Sequence, residues 1–292
     1  MAVPVSLMSL DALLPAEIAK RAEEVGVQKC SLPFWPLLTL AVLAGAFIAL
    51  GAAFSTTVSA GTAGVLPFGV TRLLAGVVFC LGLILVILGG AELFTGNALI
   101  SLAWASGRVT FRQLLRNWGI VYLGNLLGAL ATALLMYASA QYTFGNGAVG
   151  LVALETARAK TSLGFLQAVS LGVFCNALVC LAVWLCLGAH STTDKILALL
   201  FPISAFVTVG FEHSVANMYF IPLGLFVKTD TAFLALIEKS ALDYSTLTWT
   251  AFVWTNLLPV SVGNVIGGVG LVGLVYWFVY LQPEEAHKST TL

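Results

Sequence analysis

The sequence predicts an all-α polytopic membrane protein: six transmembrane helices in two inverted three-helix repeats, with the second and fifth helices broken. Three observations carry this. Hydrophobic residues make up 60% of the 292 positions and charged residues only 9%, and the mean hydropathy is +1.00; a soluble domain carries about 25% charged residues. Six apolar segments each reach the ~20 helical residues that a bilayer core requires. Two of them contain related strings, Gly90-Ala91-Glu92-Leu93-Phe94-Thr95-Gly96-Asn97 and Gly210-Phe211-Glu212-His213-Ser214-Val215-Ala216-Asn217, whose Gly, Glu and Asn residues are each 120 positions apart.

Residues 1–30 come first. They hold seven charged residues and no uninterrupted apolar core, so no cleavable signal peptide is visible. Leu14, Ile18, Ala22 and Val25 recur at helical spacing, which predicts an amphipathic helix, and Pro15 suits its first turn. The six spans follow within residues 31–282, at 34–58, 68–104, 114–139, 164–188, 195–227 and 249–281. The second and fifth exceed one simple crossing, so each is expected to be two half-helices joined by unwound backbone at 90–95 and 208–213. Residues 283–292 form a polar tail. An even number of spans puts both termini on one side. That side carries eight Lys and Arg residues, against five on the other (Arg72, Arg158, Lys160, Lys228 and Lys239), which places both termini in the cytoplasm.

Gly124-Asn125-Leu126-Leu127-Gly128 in span three matches Gly263-Asn264-Val265-Ile266-Gly267 in span six, each on the helix after a broken one. Two halves of three spans must be inverted relative to each other. Such repeats place a substrate path at their interface near the midplane.

His213 is the sole histidine inside an apolar segment. At a helix break it can serve a proton pathway, or it can be a neutral imidazole bonding two helices. Glu92 and Glu212 are expected to be structural, accepting from backbone N–H groups freed at the breaks. Adjacent residues on a helix diverge by about 100°, so Glu212 and His213 share a cavity only if the backbone there is unwound. Thr95 offers a hydroxyl to an anion, or a cap to the second half-helix. Asn176 and Asn264 offer amides to a buried anion or to broken backbone. Phe79, Leu83, Phe94 and Phe206 flank the breaks, as core packing or as a narrow apolar pore.

Other classes find little support. Zero formal net charge gives no general attraction to nucleic acid. The five cysteines include no C-x-x-C pair, and no zinc site or disulfide framework is expected. No H-E-x-x-H, G-x-S-x-G or Walker loop occurs, nor do paired N-P-A loops. The chain is therefore not expected to be an enzyme or to carry a cofactor or metal. An intramembrane enzyme using Glu212 and His213 would need a converging nucleophile or metal set, and none is visible.

Pro67-Phe68-Gly69, Ala91-Glu92-Leu93-Phe94-Thr95, Asn117-Trp118, Gly210 through Met218, and Pro259-Val260 through Gly263-Asn264 resemble the formate/nitrite transporter family, and the similarity spans nearly the whole chain. The resemblance implies an aquaporin-like protomer in a homopentamer of the bacterial cytoplasmic (inner) membrane, with one pore per subunit in the channel domain, residues 31–282. It implies that His213 is the central pore histidine and Thr95 the hydroxyl facing it. Phe79, Leu83, Phe94 and Phe206 match the apolar constrictions, Asn176 and Lys160 match polar residues near the outer vestibule, and Asn264 matches a polar position in span six. The expected activity is passage of formate, with nitrite or hydrosulfide as the alternative on the same scaffold. Lys160 would draw in the anion and His213 would relay a proton. Residues 1–30 are also the expected contact for a soluble cytoplasmic partner.

Overall fold

The structure, a computed structural model, describes residues 12–282; the first eleven residues of the 1–30 unit and the 283–292 tail lie outside the described residues. Among the described residues every regular element is helical. Helix α1 spans Pro15–Ser31, and the first half continues with α2 (Phe34–Ser59), α3 (Phe68–Gly89), a 3-10 turn Gly96–Leu99 leading into α4 (Ile100–Ala105), and α5 (Phe111–Ala138). The second half repeats this plan. It runs through α6 (Ala148–Thr161), α7 (Phe165–Gly188), α8 (Thr192–Val209) and α9 (Ser214–Val227) to a short α10 (Thr231–Leu236). The sixth span is one rod of changing pitch: α11 (Trp249–Ala251), a π-helical stretch Phe252–Leu257, α12 (Leu258–Val265), a second π stretch Ile266–Gly273, and α13 (Leu274–Tyr280). The first π stretch lies just before Pro259, which cannot donate to the preceding turn.

Local chemistry explains where the helices begin. Pro33 and Pro67 precede α2 and α3. At α5, the Thr110 hydroxyl accepts from Gln113 N while the Gln113 side chain accepts from Thr110 N. Ser191 and Asp194 exchange the same pair of bonds at α8, and such boxes satisfy donors that a helix start leaves open.

The two breaks end identically. Gly90 and Gly210 sit at φ +74° and +90°, left-handed backbone open to glycine. Ala91 N then bonds Val86 O, and Phe211 N bonds Phe206 O, closing each half-helix in a Schellman-type turn. Span two departs from expectation in its second half, since α4 has six residues where α9 has fourteen. Gly107, at φ +72°, turns the chain away immediately after α4.

Each three-span half is preceded by one further helix that belongs to the repeat. α2 packs on α3 and α5, as α7 packs on α8 and α12; α1 packs on α4, as α6 packs on α9. Each half thus begins with an amphipathic helix lying against the half-helix beyond its break. The buried stripe of α1 is Ile18, Ala19, Ala22, Gly26 and Cys30. Leu14 is not part of it; it precedes the helix and is exposed, because Pro15 rather than Leu14 opens the first turn. All five cysteines are free and buried.

The G-N-x-x-G glycines allow helix backbones to touch. A Cβ at Gly128 would overlap Val42 O, and one at Gly267 would overlap Val173 O; close approach of this kind is a main source of helix adhesion in lipid. Gly128→Val and Gly267→Val should each destabilise the protein by about 1–3 kcal/mol or more, read as a lowered thermal midpoint in detergent. Unchanged midpoints would show that these contacts contribute little.

Candidate functional site

At each break the backbone leaves the helix, and the polar groups it turns into the core must be satisfied by protein. The G-N-x-x-G asparagines do this. Asn125 Oδ1 accepts from Phe94 N at 2.9 Å, and its Nδ2 donates to Ala41 O at 2.7 Å and Glu92 O at 2.9 Å. Asn264 Oδ1 accepts from Ser214 N at 2.9 Å, and its Nδ2 donates to Gly172 O at 2.8 Å and Glu212 O at 2.9 Å. Asn264 is thus a brace for the second break and not a lining residue of either cavity described below.

The glutamates act differently from the sequence expectation. Their carboxylates accept from side chains, because the asparagines already hold the freed backbone. Glu92 Oε1 accepts from Lys29 Nζ at 2.7 Å, and its Oε2 from Asn97 Nδ2 at 2.7 Å. Glu212 Oε1 accepts from Lys160 Nζ at 2.8 Å, and its Oε2 from Asn217 Nδ2 at 2.6 Å and Asn256 Nδ2 at 3.3 Å. Asn97 and Asn217 each donate a second bond, to Asn117 Oδ1 at 2.9 Å and Asn256 Oδ1 at 2.7 Å. Lysine, glutamate and two asparagines therefore form a connected polar set at both breaks. Lys160 is not a free cation. Its ammonium is ion-paired and also lies 5.5 Å from the Phe220 ring centroid.

The halves differ at several positions of the repeat, among them Leu93 against His213 and Thr95 against Val215. His213, 3% exposed, is the N-cap of α9: Nδ1 accepts from Ala216 N at 3.0 Å. That bond requires a bare Nδ1, so in the neutral ring the proton sits on Nε2. Nε2 lies 2.8 Å from Thr95 Oγ1 and donates to it. Thr95 is fully buried and its side chain caps nothing, so its hydroxyl proton is free to turn towards a third group.

Two cavities approach this pair from opposite ends. The one beside α6 has a volume of about 620 Å³; its lining includes Arg72, Phe79, Lys160, Phe206, Glu212 and His213. The one beside α1, about 260 Å³, is lined by Arg21, Lys29, Leu83, Glu92, Leu93 and Lys195 among others. Glu212 and His213 share the larger cavity because residues 210–213 are unwound. Phe79 and Phe206 meet edge to face at 5.5 Å, and Phe206 stacks 5.8 Å from the His213 ring. Phe79, Leu83, Leu93 and Phe206 are each at most 3% exposed; the two phenylalanines line the larger cavity and the two leucines the smaller one. Phe94 lines neither cavity; its ring packs edge-on against Tyr122 at 4.8 Å and Trp118 at 6.0 Å on α5. Asn176 is also absent from both linings. It is buried and donates Nδ2 to Asn264 O at 2.7 Å.

Outside the spans, Tyr142 Oη donates to Asp230 Oδ2 at 2.6 Å. That bond, with a second from Phe233 N, holds the Asp230 carboxyl below the usual carboxylate range and ties α10 to the loop before α6. Among the described residues, no group of three or more His, Cys, Asp or Glu is placed to hold a metal ion.

Lys29, Asn117, Asn256, Leu93 and Arg72 are participants that sequence reasoning missed. Three of them had a signal. Lys29-Cys30-Ser31-Leu32-Pro33-Phe34 repeats as Lys160-Thr161-Ser162-Leu163-Gly164-Phe165, and Asn117 and Asn256 each precede the G-N-x-x-G asparagine by eight positions. Leu93 and Arg72 had none.

The chain matches the family model described as formate/nitrite transporter over residues 16–278. It is 45% identical over 279 residues to the formate channel FocA of Escherichia coli (strain K12), covering 95% of this chain and 98% of that one. It is 39% identical over 270 residues to FocA of Haemophilus influenzae, covering 91% and 94%. A solved structure described as a pentameric formate channel with formate bound superposes with a TM-score of 0.81 at 41% identity, over 85% of this chain and 98% of that one.

The ion pairs can be tested directly. Lys160→Met strands a buried carboxylate and should cost about 3–5 kcal/mol, seen as a large fall in thermal midpoint. Adding Glu212→Gln removes the stranded charge and should recover most of that loss. Equal loss in the single and double variants would contradict the pairing.

Proposed function

We propose, from the premise that this chain belongs to the formate/nitrite transporter family, that it conducts formate across the bacterial inner membrane. It does so as a homopentamer with one pore per subunit. Both termini face the cytoplasm, which makes the cavity beside α6 the outer vestibule and the cavity beside α1 the inner one. The observation that carries this reading is the Thr95–His213 hydrogen bond of 2.8 Å, buried between two cavities that each carry charged side chains. Domain roles follow: residues 31–282 are the channel, and residues 1–30 are a cytoplasmic helical unit that presents a surface to soluble partners.

Formate is ionised at pH 7, since simple carboxyls titrate near ~4. Carrying a bare charge through an apolar constriction is opposed by a desolvation cost of up to ~20 kcal/mol at low dielectric. Two features of the centre reduce it. The Thr95 hydroxyl, already accepting from His213 Nε2, donates its own proton to a substrate oxygen. Once His213 has taken up a proton from the outer vestibule and become an imidazolium, it can pass one proton through Thr95 to formate and return to the neutral ring, so that the species crossing the rings is neutral formic acid, which ionises and releases that proton in the far vestibule. A proton arriving at the ring must displace Ala216 N–H from Nδ1. The cap therefore favours the neutral ring at rest, and a negative charge beside Thr95 favours the charged one. A hydroxyl donor of this kind suits an oxygen of nitrite as well, which keeps nitrite as the second reading; hydrosulfide has no oxygen to accept that bond.

In proteoliposomes, formate uptake should rise as the external pH falls. His213→Asn keeps an acceptor for the α9 cap but has no titratable nitrogen. It should assemble normally, lose the pH dependence and slow uptake by roughly 10²-fold at neutral pH. A retained wild-type pH profile would exclude the relay. Comparing formate, nitrite, hydrosulfide and acetate fluxes across pH would rank the substrates.

A further inference from the structure

The outer vestibule carries few uncompensated charges. Lys160 is neutralised by Glu212 at 2.8 Å. Glu155, also on the wall, is paired with Arg158 and accepts from Tyr244 Oη at 3.1 Å. That leaves Arg72. Its guanidinium lines the same cavity, is half-buried, and makes no ion pair among the described residues.

Arg72 does have protein partners, and they constrain which of its edges remains. Nε donates to Thr208 O at 3.1 Å and Nη2 to Val207 O. These carbonyls belong to the last turn of α8, where Val207 O also accepts from Gly210 N at 3.2 Å, and the Thr208 hydroxyl returns a bond to Arg72 O at 3.3 Å. α3 and α8 come close enough for this because Gly76 faces Ser204 and Thr208 without a side chain. Carbonyl oxygens satisfy donors without cancelling a formal charge. The Nη1/Nη2 end of the fork keeps its N–H groups, and a guanidinium edge with two parallel donors fits a two-oxygen anion.

We propose that Arg72 is the anion-capture residue of the outer vestibule, holding a small two-oxygen monovalent anion on its Nη1/Nη2 edge before it advances to Thr95 and His213. This rests on the transport reading above and deepens it, moving the recruiting role from Lys160 to Arg72. Capture and architecture are joined in one side chain. The edge towards α8 fixes the half-helix that carries Phe206, and the opposite edge meets the substrate. The inner vestibule has different cations, Arg21 and Lys195, in addition to the paired Lys29. Loss of Arg72 should therefore be felt from one side of the membrane.

The experiment uses right-side-out membrane vesicles of the full-length protein and radiolabelled formate, measured for influx and efflux at varied concentration and ionic strength. Arg72→Gln should raise the apparent KM for influx roughly fivefold, the effect of one partly screened charge, and weaken the salt dependence of influx. The KM for efflux should stay within about twofold of wild type. Arg72→Lys keeps the charge without the fork, so it should retain the salt dependence with an intermediate KM, and it serves where the Gln variant assembles poorly. An unchanged influx KM, or equal losses from both sides with a lower maximal rate, would overturn capture and leave Arg72 as a helix clamp. Absence of formate flux in the wild type would instead overturn the transport reading itself.

Discussion

Backbone that leaves a helix in mid-membrane has no water to bond with, and the rest of this structure depends on how that constraint is met. Each unsatisfied N–H or C=O in hydrocarbon costs several kcal/mol. One asparagine answers at each break, with three bonds from a single amide: Asn125 for Phe94, Ala41 and Glu92, and Asn264 for Ser214, Gly172 and Glu212. The amide reaches these atoms only because its helix lies in direct contact with its neighbour. At Asn125 the neighbour presents Gly45, where a Cβ would overlap the Asn125 backbone. The repeated glycines, the brace and the break form one unit, used twice in opposite orientation.

The same logic accounts for four charged residues at depth. A buried ion pair gains little over an apolar substitute, but its geometry is exacting. Lys29–Glu92 and Lys160–Glu212 each tie an amphipathic helix to the start of an unwound segment, and the asparagine amides consume the remaining carboxylate oxygens. With these charges cancelled in pairs, Thr95 and His213 bond each other among buried apolar side chains. The repeated residues build the frame, and the proposed chemistry falls where the two halves disagree.

Much of this was legible in the sequence, and the failures have a common cause. Hydropathy and the 120-residue repeat located all six spans and both breaks to within a few residues, because lipid imposes length and apolarity directly. His213 and Thr95 stood out as the positions where the repeat departs from itself. Partners across the fold were harder. Nothing in local spacing pairs Lys29 with Glu92, 63 positions away, or Arg72 with Thr208, 136 away. Direction was also invisible. Phe94 adjoins Thr95 in sequence, yet its ring turns to Tyr122, because unwound backbone obeys no helical wheel. The function assigned to Glu92 and Glu212 missed for the same reason: the asparagines that relieved them of the backbone lie 33 and 52 positions further along.

Because Nδ1 of His213 both finishes α9 and is the atom an arriving proton would occupy, position 213 is filtered twice as the sequence drifts. A replacement must supply a short side-chain acceptor or leave the helix end frayed, which narrows the choice to a few residue types. None of those offers a second ring nitrogen that can exchange a proton while the first holds the cap. Adaptation to a different acidity is therefore expected to proceed by changing the surroundings of this residue while its identity stays fixed.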